Sequence, residues 1–152
     1  MNRGFEHMPE PNSMNTSKGR EFQIKAAEIL NQYFKVGFQI EFPVLIGLLP
    51  KEHKFDLVSD DQQFIGESKN YSWTEGVNVP SAKIGFINEA VFFLQHLPIE
   101  KKRFVVIRRE SRTKHTETLA EYYYRTNHHL LNGVFIIEID LETENVREFG
   151  GY

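Results

Sequence analysis

Apolar and polar positions along the chain change period several times, and each change marks an element. From Ser17 to Phe34, Phe22, Ala26, Ile29, Leu30 and Tyr33 recur at helical spacing, with Glu21, Lys25, Glu28 and Gln32 on the polar flank. Ser17 is the expected N-cap, and Gly37 ends the region. Phe38 to Ile46 is apolar and β-prone, and Gly47 to Lys51 reads as a loop. Lys54 to Val58 and Phe64 to Lys69 are two short β-like runs separated by the polar, turn-forming Ser59 to Gln63. Asn70 to Pro80 is a polar loop that contains Trp73. Ser81 to Leu97 predicts a helix with Ile84, Ile87, Val91 and Leu94 inward, closed by Pro98. Arg103 to Arg108 is too continuously apolar for an exposed strand. Thr116 to Thr126 reads as a Tyr-rich helix, Gly133 to Asp140 as a strand, and Asn145 to Phe149 as a strand pairing back on it. Met1 to Thr16 lacks apolar periodicity and reads as a flexible arm. The expectation is a flexible arm over residues 1–16 and one domain over 17–152, of α/β class, with helices covering a mixed central sheet.

The hairpin arithmetic adds chemistry to this layout. If Asp61 and Gln62 form a two-residue turn, Asp60 faces Gln63 and Asp56 faces Glu67, with Cβ atoms roughly 5 Å apart. Residues two apart on a strand share a face, so Lys69 joins Glu67. Val58 and Ile65 are expected on this acidic face, with Phe55, Leu57 and Phe64 on the other. Two carboxylates and an ammonium at one place can bind a divalent cation and position a water for phosphodiester hydrolysis. The inference depends on register, since a one-residue slip moves Asp56 to the opposite face. The competing reading is a solvated Glu-x-Lys triplet with a surface ion pair worth about 0–1 kcal/mol.

Composition narrows the classes. The 152 residues, 40% hydrophobic, suit a single domain with a sizeable core. There is no cysteine, which excludes disulfides and thiolate metal sites. No apolar run is long enough for a membrane span, and the amino terminus lacks a signal-peptide core, so the expectation is a cytoplasmic protein with no membrane partner. A net charge of −3 argues mildly against strong nucleic-acid binding. Its distribution does not: Lys101, Lys102, Arg103, Arg108, Arg109, Arg112 and Lys114 form a basic stretch ahead of an acidic tail. Arg103, Arg108, Arg109 and Lys114 are the expected phosphate contacts; a solvated strand end is the alternative. His128 and His129 are adjacent and read as a surface pair. His53 and His115 flank the strand and the basic segment without a defined role, and Trp73 reads as a loop anchor.

With Asp56 ending one strand, Glu67-Ser68-Lys69 on the next and a helix following, the chain resembles the PD-(D/E)XK nuclease superfamily, also called restriction-endonuclease-like. Lys18-Gly19-Arg20-Glu21-Phe22-Gln23 also looks like the Gly-x-x-Phe-Glu start of the first helix in Holliday-junction resolvases and Mrr-type restriction enzymes. The resemblance covers about residues 17–110 and implies an αβββαβ core. It implies Asp56 and Glu67 as metal ligands, the Ser68 backbone carbonyl as a third oxygen, and Lys69 orienting the attacking water. The implied cofactor is Mg²⁺, with Mn²⁺ as substitute, and the implied activity is hydrolysis of duplex or branched DNA by an endonuclease. A domain this small rarely encloses a duplex, so a homodimer is expected. Two positions depart from the pattern. Phe55 stands where proline is common, and Gln23 where the first-helix Glu is expected; Glu21 lies too far around the helix to replace it. Lys83 matches the place of an accessory Gln or Lys, with a solvated first-turn lysine as the alternative. The alternative function is a catalytically reduced module of this fold, serving in DNA binding or as an accessory subunit.

Overall fold

The structure, a computed structural model, describes residues 12–71, 73, 80–110 and 116–150. The elements run α1 (Asn12–Phe34), β1 (Phe38–Ile46), β2 (Lys51–Ser59), β3 (Phe64–Lys69), α2 (Ser81–Leu94), β4 (Lys102–Arg108), α3 (Leu119–Asn127), a 3₁₀ turn (His128–Leu130), β5 (Phe135–Ile139) and β6 (Val146–Phe149). The six strands form one sheet in sequence order. β1, β2 and β3 are antiparallel, β3, β4 and β5 are parallel, and β6 returns antiparallel to β5. This is an α/β fold on a mixed sheet.

Each face of the sheet carries its own core. Phe22, Ala26, Ile29 and Leu30 of α1 pack with Leu57, Phe104, Val106, Ile137 and Ile139. Ile87, Ala90, Val91 and Leu94 of α2, with Leu119, Ala120 and Tyr123 of α3, cover Val58, Ile65, Val105, Ile107 and Ile136 on the other face. β4 is buried from Arg103 to Ile107 because helices lie on both sides of it. Trp73 is buried as a loop anchor, its Nε1–H donating to the Glu117 carbonyl at 2.7 Å. α3 opens on a capping box in which Thr118 and Glu121 exchange hydrogen bonds.

Several boundaries differ from the expected ones. α1 begins at Asn12, ahead of Ser17, so part of the expected arm is helical; residues 1–11 lie outside the described residues. Between Asn12 and Phe34 the only weak helix former of the glycine–proline class is Gly19, which a helix interior tolerates. α2 ends at Leu94, and Leu97 N–H turns back to the Leu94 carbonyl instead of continuing the helix.

One irregularity in the sheet shapes the site. Along β1, Phe38 and Ile40 pack in the α1 core, whereas Phe42, Val44 and Ile46 pack in the α2–α3 core. Strict alternation would keep all five on one face. The switch falls at Glu41, whose φ is +55°, in the left-handed region. It falls without a register change, between the pairs Ile40–Leu57 and Phe42–Phe55, and so opposite Asp56. β2 follows: Leu57 packs on the α1 side and Phe55 on the α2–α3 side. The expected grouping of Phe55 with Leu57 and Phe64 is therefore corrected; Phe55 shares its core with Val58 and Ile65.

Candidate active site

β2 and β3 pair with Leu57 opposite Gly66 and Val58 opposite Ile65. One further step places Asp56 across from Glu67, the register that the hairpin arithmetic requires. The turn that sets it is longer than two residues. Gln62 N–H bonds the Ser59 carbonyl at 2.8 Å with Gln62 at φ +57°, and the Ser59 hydroxyl accepts from Phe64 N–H while donating to Asp61 Oδ1. The side chain of Ser59 closes the loop in place of a backbone pair.

Past Leu57 and Gly66, the two carboxylates take over from the backbone ladder. Asp56 N–H donates to Glu67 Oε2 at 3.3 Å, and Ser68 N–H donates to Asp56 Oδ2 at 2.8 Å. Each acid is thus held by the backbone of the opposite strand. Glu67 is buried at 7% exposure, while Asp56 and Lys69 are half-buried.

His53 completes the cluster. Its Nε2 lies 3.0 Å from Glu67 Oε1, its ring stacks on Phe93 at 4.0 Å and 17°, and the Phe55 ring meets it edge-on at 4.5 Å. With Oε1 at His53 and Oε2 at the Asp56 amide, the Glu67 carboxyl has a fixed orientation. Burial first, then the Asp56 charge and a hydrogen bond between the two carboxyl groups, push the Glu67 pKa up to about 9; the Lys69 ammonium opposes this. Burial holds His53 below its ordinary value despite the neighbouring carboxylates. At neutral pH, therefore, the close contact between His53 and Glu67 is a hydrogen bond between neutral groups, although its length would suit an ion pair.

Sequence reasoning left His53 without a role for an identifiable reason. Alternation puts residues 53, 55 and 57 on one face and Asp56 on the other. The reversal at Glu41 moves His53 and Phe55 to the Glu67 side, and no residue type in β1 signals a left-handed Glu.

The remaining expected site residues divide. Lys69 lines a cavity of about 590 Å³ together with Lys18, Gly19, Ser68, Asn70, Tyr71 and Lys83. Lys83 and Lys69 thus line the same cavity. Glu21 is exposed on α1, Gln23 is buried at 4% exposure, and no hydrogen bond joins either to Asp56 or Glu67. Arg103 is buried at the far end of β4, opposite Ile65, where it donates to the Asn132 carbonyl at 3.0 Å and lines a second cavity with Lys101 and Lys102. Arg108 is half-buried and Arg109 exposed, at the end of β4 beside Lys69. Lys114 lies outside the described residues, as does His115.

The donor chemistry fits a hard cation. Two carboxyl groups share one place, and burial with the Asp56 charge raises the Glu67 pKa. Among the described residues no three His, Cys, Asp or Glu side chains converge as a ligand cluster. No family model matches this chain, and no curated protein does. No described helix is long and apolar enough to cross a membrane.

Proposed function

We propose that this chain is a Mg²⁺-dependent nuclease of restriction-endonuclease-like fold that hydrolyses phosphodiester bonds in DNA as an endonuclease. The observation that carries the reading is the crossed pair: Asp56 and Glu67 each held by the opposite strand, with Lys69 on the Glu67 face and opening onto a lysine-lined cavity. The order α1-β1-β2-β3-α2-β4 supports it, because an αβββαβ core with these residues on β2 and β3 is what the resemblance implies.

Asp56 and Glu67 would hold the ion, which supplies charge for the developing phosphorane and acidifies a bound water. Glu67 would hold the ion as its carboxylate. His53 keeps the Glu67 carboxyl from rotating away, its own ring fixed by Phe93 and Phe55. Lys69 orients the attacking water and offsets charge at the phosphate. Buried Gln23 contributes no charge, so this site works with two acids.

Plasmid and branched DNA incubated with Mg²⁺ or Mn²⁺ test the reading. Wild type is expected to cut, while Asp56→Ala and Lys69→Ala lose on the order of 10² or more in rate. Equal activity in all three removes the assignment. The second reading, a catalytically reduced binding module, is motivated by Gln23 and by the protonated Glu67. Calorimetry decides it: no Mg²⁺ binding at millimolar concentration selects the module.

A further inference from the structure

The cavity beside Lys69 has more in it than a metal site requires. Three lysines reach it from three different elements: Lys18 from α1, Lys69 from β3 and Lys83 from the first turn of α2. Its volume, about 590 Å³, falls in the roughly 300–1,000 Å³ range of small-molecule sites. Tyr71 forms part of its wall, and the half-exposed Phe86 ring lies 6.3 Å from the Tyr71 ring at 38°. Asn70, also in the wall, carries a buried Oδ1 with no hydrogen-bond partner among the described residues. Cations on several sides suit a phosphate, the Tyr71 ring in the wall with Phe86 behind it suits the face of a base, and an unused amide oxygen suits an exocyclic amino group.

The rest of the surface weighs against a long duplex. The basic stretch that could track one is largely occupied within the protein. Lys101 Nζ donates to the Gln62 carbonyl, Lys102 pairs with Glu148 at 2.9 Å and sits over the Phe34 and Phe135 rings, and Arg103 is buried. Net charge is −3. A second cavity, of about 630 Å³, is lined by Lys101, Lys102 and Arg103, each of which is engaged by the protein as described.

We infer that this cavity receives a single unpaired nucleotide next to the scissile phosphate, so that the substrate is single-stranded or locally unpaired DNA. The inference rests on the nuclease reading, and it names the substrate class for that site. Lys18 and Lys83 hold the flanking phosphate, Tyr71 with Phe86 stacks on the base, and Asn70 accepts from it. A continuous duplex keeps its bases stacked away from the pocket and cannot make the last two contacts.

The test is fluorescence anisotropy in EDTA, with a labelled single strand of about 12 nucleotides against the same sequence as a duplex. Wild type is expected to bind the single strand about 10-fold or more tightly. Lys83→Gln, Tyr71→Ala and Phe86→Ala should each lower that affinity about 5- to 10-fold, and the two aromatic variants should leave duplex affinity unchanged, with folding checked by circular dichroism. Phe86 is half-exposed, so its variant stays informative if Tyr71→Ala unfolds. Equal binding of the two DNA forms, or affinities unmoved by Lys83→Gln and Phe86→Ala, overturns the inference. Binding is read without divalent metal, so the two readings fail separately. Single-strand preference without cleavage under Mg²⁺ removes the nuclease and keeps the cavity's ligand; cleavage without the preference does the reverse.

Discussion

Glu67 is the residue at which the proposed function opposes stability. A buried carboxyl beside Asp56 keeps its proton up to about pH 9, whereas the unfolded chain releases it near the ordinary value of 4.5. Between those values the folded state binds the extra proton, so stability declines as pH rises across the window. The Glu67 contribution is complete below about 4.5 and gone above about 9. Glu67→Gln stays neutral and does not lose it. In EDTA the variant is expected to melt a few degrees above wild type at pH 8 and close to it at pH 5, since about 1 kcal/mol moves the midpoint of a domain this size by roughly 2–4 °C. Millimolar Mg²⁺ should then raise the midpoint of wild type only. Parallel pH profiles for the two proteins would show that Glu67 is not protonated in the fold. Asp56, Glu67 and Lys69 were legible as a set because strand alternation and hairpin register are arithmetic. His53 was not, because one left-handed residue on the neighbouring strand decides its face.

At the scale of elements, the strand carrying Glu67 and Lys69 passes close to the Phe104 ring of β4 at Gly66. An added Cβ there would run into the ring of Phe104 on β4, which is fully buried with nowhere to move. Gly66→Ala should cost about 1–3 kcal/mol by overpacking and, by shifting β3, lower cleavage as well. Gly85, inside α2, is the matched control: a Cβ meets nothing within 4 Å, so Gly85→Ala should stabilise by about 0.5–1 kcal/mol. Urea midpoints measure both, and a neutral Gly66→Ala would mean that β3 and β4 can part locally without strain. β1 and β3 were readable from pattern to the residue, because apolar β-prone runs stop at turn formers on either side. The start of α1 was not: Asn12 to Thr16 has no apolar stripe in the sequence to mark it as helix.

Across the whole molecule, charge read along the chain differs from charge displayed on the surface. The stretch from Lys101 to Arg109 looks like a phosphate face in one dimension. Folding turns Lys101 and Lys102 onto a carbonyl, a carboxylate and two aromatic rings, and buries Arg103 in the sheet end. Only a fold places Lys18, Lys69 and Lys83, separated widely in sequence, around one cavity. Counting those three with exposed Arg109 gives about three or four phosphate contacts. Each contact to a single strand contributes about −0.7 to the slope of log K against log salt, so the expected slope is about −2 to −3. Titrations between about 50 and 200 mM salt, with metal absent, measure it. A slope steeper than about −5 would require a wide basic face, and with it a duplex lying across β4. A shallow slope confines binding to the cavity, where removing one lysine takes away a large share of the salt dependence. Lys83→Gln should therefore reduce the slope by about 0.7, a change that loss of folded protein alone would not produce.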